Sequence, residues 1–168
     1  LYFDNVKVSV DNLIGNEGEG FKIALATLDG GRIGIAAQAL GIAQASLNAS
    51  VSYSKERIQF GKPISINQAI QFKIADMAME IESARLLVRQ AAWKKDQEQN
   101  YRHAASMAKV YASEVAMRAS TQCVQIHGGF GYMREAGVER LMRDAKITQI
   151  YEGTSEIQRV VIAKSILK

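Results

Sequence analysis

The sequence predicts an all-α domain, an antiparallel helical bundle with a short β-strand ahead of it. Three observations carry that reading. Proline occurs once in 168 residues, at Pro63, and a residue without an N–H whose ring clashes with the preceding turn is excluded from helix interiors. From Phe21 onward, apolar residues recur at spacings of three and four, the helical period. The periodic stretches are separated by glycine pairs or short polar runs, which are short enough to join antiparallel neighbours.

Taken in order, Leu1 to Val10 alternates Val6, Val8 and Val10 with polar residues, a strand pattern. One strand cannot stand alone, so residues 1–16 are assigned to the remnant and linker of a preceding sheet domain, and 17–168 to the bundle. A first helix is expected from about Glu19 to Leu28, broken at Gly30-Gly31. A second carries Ile33, Ala36, Leu40, Ala43, Leu47 and Val51 on one face and ends near Gln59, before Gly61 and Pro63. A third presents Ile70, Ile74, Met77, Ile81, Ala84, Val88 and Ala91. Beyond the polar stretch Lys95 to Asn100, a fourth presents Ala108, Ala112, Val115, Ala119, Cys123 and Ile126 and stops at Gly128-Gly129, since glycine accepts the conformation that ends a helix. A short helix over Val138 to Ala145 follows. The last begins near Ser155, with Ser155 and Gln158 spaced as a capping box and Ile157, Val160, Val161, Ile166 and Leu167 as its apolar side. Abundant alanine allows close helix approach, within one chain or between subunits.

Composition narrows the function. With 48% hydrophobic and 23% charged residues, the chain is of ordinary globular make-up. A single cysteine, Cys123, forms no internal disulfide. No apolar run approaches the roughly 20 residues of a membrane span, and the first residues do not read as a basic-then-apolar leader of the signal-peptide kind. Net charge is +4, which suits anionic ligands, but basic residues are interspersed with acids, so neither nucleic acid nor membrane is expected as a partner. There is no P-loop and no Gly-x-Gly-x-x-Gly after a strand. Two histidines, His103 and His127, without carboxylates at matching spacing, and the lack of Glu-x-x-His on the helices, argue against zinc or di-iron chemistry.

Read singly, the remaining features have structural explanations. Glu152 could complement the dipole of the last helix, Arg57 could be a helix-end charge, Gln68 a helix-start residue, and His127 a packed core histidine. Tyr151 and Phe130 could be core aromatics. Read together, they form a pattern. Asp29-Gly30-Gly31-Arg32, Arg57-Ile58-Gln59-Phe60-Gly61, Gln125-Ile126-His127-Gly128-Gly129, Met142-Arg143-Asp144-Ala145-Lys146 and Ile150-Tyr151-Glu152-Gly153-Thr154-Ser155-Glu156-Ile157-Gln158-Arg159 stand in this order along the chain. The series closely resembles the acyl-CoA dehydrogenase family, C-terminal domain, and in particular its short-chain and butyryl-CoA members.

The resemblance implies FAD-dependent oxidation of an acyl-CoA thioester to the trans-2-enoyl-CoA. A carboxylate takes the α-proton while the β-hydrogen leaves as hydride. It implies Glu152 as that base, with Gly153 leaving room for the thioester. Some family members carry the base at the position of Gly31, where this chain has no side chain to offer. By the same resemblance, Asp29, Gly30, Gly31 and Arg32 lie on the acyl-CoA side. Arg57, Phe60, Gln68, Gln125, Ile126, His127, Gly128 and Gly129 are assigned to FAD, largely that of a neighbouring subunit, and Thr154, Ser155 and Glu156 to FAD at the start of the last helix. An electron-transferring flavoprotein as acceptor and a homo-oligomer (dimer or tetramer) follow as partners. The location implied is the cytoplasm for a bacterial source and the mitochondrial matrix for a eukaryotic one. Two other functions fit the pattern less closely: an acyl-CoA oxidase, which would produce peroxide, and a non-catalytic helical oligomerisation module.

Overall fold

The computed structural model describes residues 1–167. It is built from α1 (Gly20–Glu56), a two-stranded antiparallel hairpin of β1 (Ile58–Gln59) and β2 (Lys62–Pro63), α2 (Gln68–Asp96), α3 (Arg102–His127), the one-turn α4 (Gly129–Tyr132), α5 (Val138–Thr148) and α6 (Ser155–Ile166). Three long antiparallel helices form the body, with α1 packed most extensively on α3 and α2 lying across both. The last two helices close over α3 and α1. The all-α bundle expected from the sequence is thus present. Among the described residues, no helix is long and apolar enough to cross a membrane.

Small residues hold the centre together. Ala36, Ala39 and Ala43 of α1 face Ala108, Ala112, Ala116 and Ala119 of α3 in one buried cluster, so the backbones approach closely. Ser46, Ser50 and Ser54 extend the same face of α1 and are also buried. Their hydroxyls donate to the carbonyls of Ile42, Ser46 and Val51 at 2.9, 2.8 and 2.9 Å. Burying a hydroxyl without such a bond would be costly. The buried stripe of α1 therefore runs through serines rather than through Leu47 and Val51, which are only half-buried. On α2, Met77, Ile81, Ala84, Val88 and Ala91 are buried as their spacing predicts.

Four local expectations are corrected. The helix expected to break at Gly30-Gly31 does not break: α1 runs unbroken through 37 residues. Each glycine costs a helix only about 1 kcal/mol against alanine, which packing along α3 outweighs. That helix stops at Glu56 rather than Gln59, and the tight Phe60-Gly61 turn, with φ of 51° and 76°, starts a hairpin instead. The strand expected over Leu1 to Val10 is not formed. Val6, Val8 and Val10 are exposed, because no second strand offers an edge, and the segment holds only a 3-10 turn at Val10–Asn12. Finally, Ile157, Val160 and Ile166 of α6 are exposed, as is Leu167 at its C-cap. That helix meets the core through Ser155 and Gln158 instead.

Gly131 shows how tightly α4 is seated. A Cβ there would lie 2.5 Å from the His127 Cβ and 2.8 Å from the Val124 carbonyl oxygen. Neither neighbour is the free end of a side chain. Gly131→Ala is therefore expected to destabilise the bundle by about 1–3 kcal/mol, read as a lower denaturation midpoint. An unchanged midpoint would contradict the tight seating.

Candidate functional site

The loop between α5 and α6 is fixed at both ends. The Ser155 amide donates to the Gln149 carbonyl at 3.0 Å, and the Tyr151 hydroxyl donates to Gln38 Oε1 on α1 at 2.5 Å. Between them, Glu152 and Gly153 both adopt left-handed backbone, with φ of 56° and 89°. Glycine accepts this freely, whereas for glutamate it is strained. The strain turns the Glu152 side chain inward onto α1. A Cβ built on Gly31 would lie 2.5 Å from Glu152 Oε2, so the bare backbone of Gly31 forms the floor under the carboxylate. The two positions that the resemblance offers for the base are thus neighbours in space.

Glu152 Oε2 is buried without a hydrogen-bond partner. Most buried polar groups are paired, and an unpaired carboxylate oxygen is one that a ligand or a proton can satisfy. Around it stand the other residues expected on the acyl-CoA side. Asp29 and Arg32 pair at 2.7 Å, and Arg32, only 5% exposed, also donates to the Ser106 hydroxyl at 3.3 Å. Arg102 approaches Asp29 at 3.6 Å. Arg32 Nε is buried and unpartnered as well, so the residue next to Gly31 also carries an unsatisfied polar atom.

Two further members of this cluster were not among the expected site residues. Lys109 on α3 and Gln158 on α6 are both fully buried. Lys109 Nζ donates to the Gly153 carbonyl at 2.7 Å. Burial, and next the Arg32 guanidinium, push this ammonium down to about 8, against the opposing pull of Glu152 and Glu156. Gln158 Nε2 donates to the carbonyls of Glu152 and Gly153 at 3.1 and 3.0 Å. The capping box expected of Ser155 and Gln158 is accordingly not formed. Thr154 is the cap, its Oγ1 accepting from the Ile157 amide at 3.4 Å. Ser155 lies inside the first turn with a buried, unpartnered hydroxyl, and Gln158 is occupied with the loop. Glu156 is exposed, and its carboxyl is held below the usual range, first by its own amide and then by Thr154.

A second cluster lies at the other end of α1. Arg57, Ile126, His127, Gly128 and Gly129 line a groove of about 550 Å³ with Tyr53, Gln59, Ile64 and Phe130. His127 is a packed residue here: its ring stacks on Tyr53 with centroids 4.1 Å apart, and its Nδ1 lies 2.8 Å from the Cys123 carbonyl. Burial pushes the neighbouring Cys123 thiol up. What this segment offers a ligand is backbone. Gly128 has φ 63°, and neither Gly128 nor Gly129 has anything within 4 Å of a built Cβ. Gln125, Phe60 and Gln68 stand outside the groove and are exposed, Phe60 at the hairpin tip and Gln68 at the start of α2. Among the described residues, no group of three potential ligands is placed to hold a metal ion.

Fold and site together define a helical-bundle domain that aims one strained, buried carboxylate at a side-chain-free stretch of helix and holds a glycine-rimmed groove at its far end. Residues 18–167 match the acyl-CoA dehydrogenase C-terminal domain. The chain belongs to the acyl-CoA dehydrogenase family and carries that domain. It is 58% identical over its whole length to the short-chain specific acyl-CoA dehydrogenase of Megasphaera elsdenii, covering 44% of that protein. It is 55% identical to the mitochondrial short-chain specific acyl-CoA dehydrogenase of Bos taurus, again over all of this chain and 41% of the relative. The structure of butyryl-CoA dehydrogenase from Megasphaera elsdenii superposes with a TM-score of 0.97 at 58% identity, over 99% of this chain and 43% of that one. The chain therefore spans less than half the length of the relatives it matches.

Proposed function

We propose that the complete protein oxidises short-chain acyl-CoA thioesters to trans-2-enoyl-CoA with FAD, and that Glu152 is the base. The observation that carries this reading is the buried, unpartnered Glu152 Oε2 facing Gly31. A thioester α-proton is weakly acidic, so its base must stand within hydrogen-bond reach of the α-carbon and apart from competing donors. Glu152 Oε2 meets the second condition, and the bare Gly31 gives the carboxylate room to stand where it does. Gly153 and the Asp29–Arg32 pair would border the bound thioester. The short-chain preference rests on the similarity to the short-chain specific relatives.

The residues present fit FAD at two places. At the start of α6, Thr154, Ser155 and Glu156 would border it, where the positive end of the helix dipole favours negative charge. In the far groove, Arg57 can pair with pyrophosphate, the open Gly128-Gly129 backbone admits close approach, and Ile126 and His127 line it; Gln125, Phe60 and Gln68 stand outside the groove and would meet the cofactor only beyond it. Bound FAD would supply the two-electron acceptor. These two places are far apart: Gly31 lies within α1 and Arg57 caps its C-terminus 26 residues later, about 39 Å at 1.5 Å per residue. A single dinucleotide with its flavin at Glu152 does not reach that groove, which supports its serving the FAD of a neighbouring subunit in a homo-oligomer, dimer or tetramer. An electron-transferring flavoprotein is the acceptor that family membership suggests. The working compartment follows the source, cytoplasm in a bacterium and mitochondrial matrix in a eukaryote.

Residues 1–16 fall with the part of the protein that precedes the bundle in this reading, and that part supplies much of the flavin site. The 168-residue chain by itself is expected to bind FAD weakly and to show no turnover. Stoichiometric yellow flavin in the purified chain would contradict this. The activity itself is tested by assaying the complete protein on acyl-CoAs of graded length with an electron-transferring flavoprotein. Failure to oxidise any of them would overturn the proposal.

A further inference from the structure

We propose that Lys109 and Gln158 are positioning residues, which fix the left-handed turn at Glu152-Gly153 and so set where the base points. The inference rests on Glu152 being the base, and it concerns two side chains that the family motifs above do not include for this purpose. The turn has two consecutive residues at positive φ, one of them a glutamate, a conformation the chain does not hold unaided. Three donated bonds hold it: Lys109 Nζ to the Gly153 carbonyl at 2.7 Å, and Gln158 Nε2 to the carbonyls of Glu152 and Gly153. Both donors are fully buried, so water does not compete for these bonds.

The two donors approach from different helices. Lys109 comes from α3 and Gln158 from α6, so the turn is triangulated against the body of the bundle rather than against its own loop. Gly153 is part of the fit: a Cβ there would lie 2.7 Å from Gln158 Nε2. Taking a lysine ammonium out of water is expensive, and Lys109 shares its stripe of α3 with Ala105, Ala108 and Ala112, all buried. A bundle stabilised by alanine packing alone would place an apolar side chain here. The cost is intelligible if the ammonium holds the backbone on which the base is mounted. Its charged neighbours are Arg32 from α1, Glu152 from the loop and Glu156 from α6.

The complete flavin-loaded protein tests this with Lys109→Met and Gln158→Met, each alone and combined with Glu152→Gln. Turnover per bound flavin is expected to fall about 10- to 100-fold in each single variant, the scale of a misplacement near 1 Å, with KM changed less than about threefold. Added to Glu152→Gln, neither substitution should lower the residual rate further, since groups acting through one another are not additive. A purely structural role would lower thermal stability and flavin content while leaving turnover per bound flavin intact, or would lower the rate further in the Glu152→Gln background. Either result overturns the proposal. Should Lys109→Met fail to load flavin, Gln158→Met decides, because it removes two of the three bonds to the same turn. If Glu152→Gln itself keeps full turnover, the base assignment fails instead, and that outcome is distinct from the one in which only the two supporting variants are normal.

Discussion

Glu152→Gln in the complete protein is expected to lower turnover on the order of 10²- to 10⁴-fold while leaving flavin content and acyl-CoA binding close to wild type. The substitution keeps the size of the side chain and removes only its capacity to accept the proton. The turn is held through main-chain carbonyls by Lys109 and Gln158, so the geometry of residue 152 does not depend on its carboxylate. The separation of binding from rate is what distinguishes a base from a helix-start charge. A carboxylate that merely complemented the dipole of α6 would cost fractions of a kcal/mol in stability and nothing specific in rate. The decisive measurement is flavin bleaching in a single turnover with excess acyl-CoA, alongside binding of a non-reacting thioether analogue. Rapid bleaching by the variant would remove Glu152 from the chemistry.

The bundle was readable from the sequence because its signals are local and repeated. On α2 and α3, the positions expected on the apolar face are buried or packed against the buried cluster. The misreadings share a cause: each depended on what the segment packs against. Gly30 and Gly31 resemble a helix break until α3 is seen to support α1 through them. Val6, Val8 and Val10 carry a strand pattern but have no edge to join. Ser155 and Gln158 have capping-box spacing, but the loop carbonyls claim the glutamine first. Lys109 did leave a trace, since it lies on the stripe with Ala105, Ala108, Ala112 and Ala116, where an apolar residue is the norm. Its partner, a carbonyl 44 residues away, has no sequence signature. Glu152 was found through its neighbours in a motif. The reason its carboxylate has room, a glycine more than a hundred residues earlier, emerged only in three dimensions.

Gly31→Ala is expected to separate stability from activity. Alanine is favoured over glycine within a helix by about 1 kcal/mol, and α1 is helical at this position, so the backbone gains. The added Cβ, however, falls 2.5 Å from Glu152 Oε2, 3.0 Å from its Cδ and 3.3 Å from Oε1. The helix cannot retreat, because the adjacent Arg32 and the nearby Ala36 are buried against the core. The glutamate side chain, free at its end, must move instead. A displacement near 1 Å at the reacting group costs on the order of 10²-fold in rate, so turnover should fall by about that factor while the melting temperature holds or rises. Gly34→Ala is the matched control: it lies one turn along the same helix, with nothing within 4 Å of its built Cβ. It should gain the same helix stabilisation with turnover unchanged. If Gly31→Ala retained full turnover, the carboxylate would not be working from the position it occupies against α1. If both variants lost activity equally, the cause would be the stiffening of the helix, and the contact with Glu152 would not be what Gly31 is for.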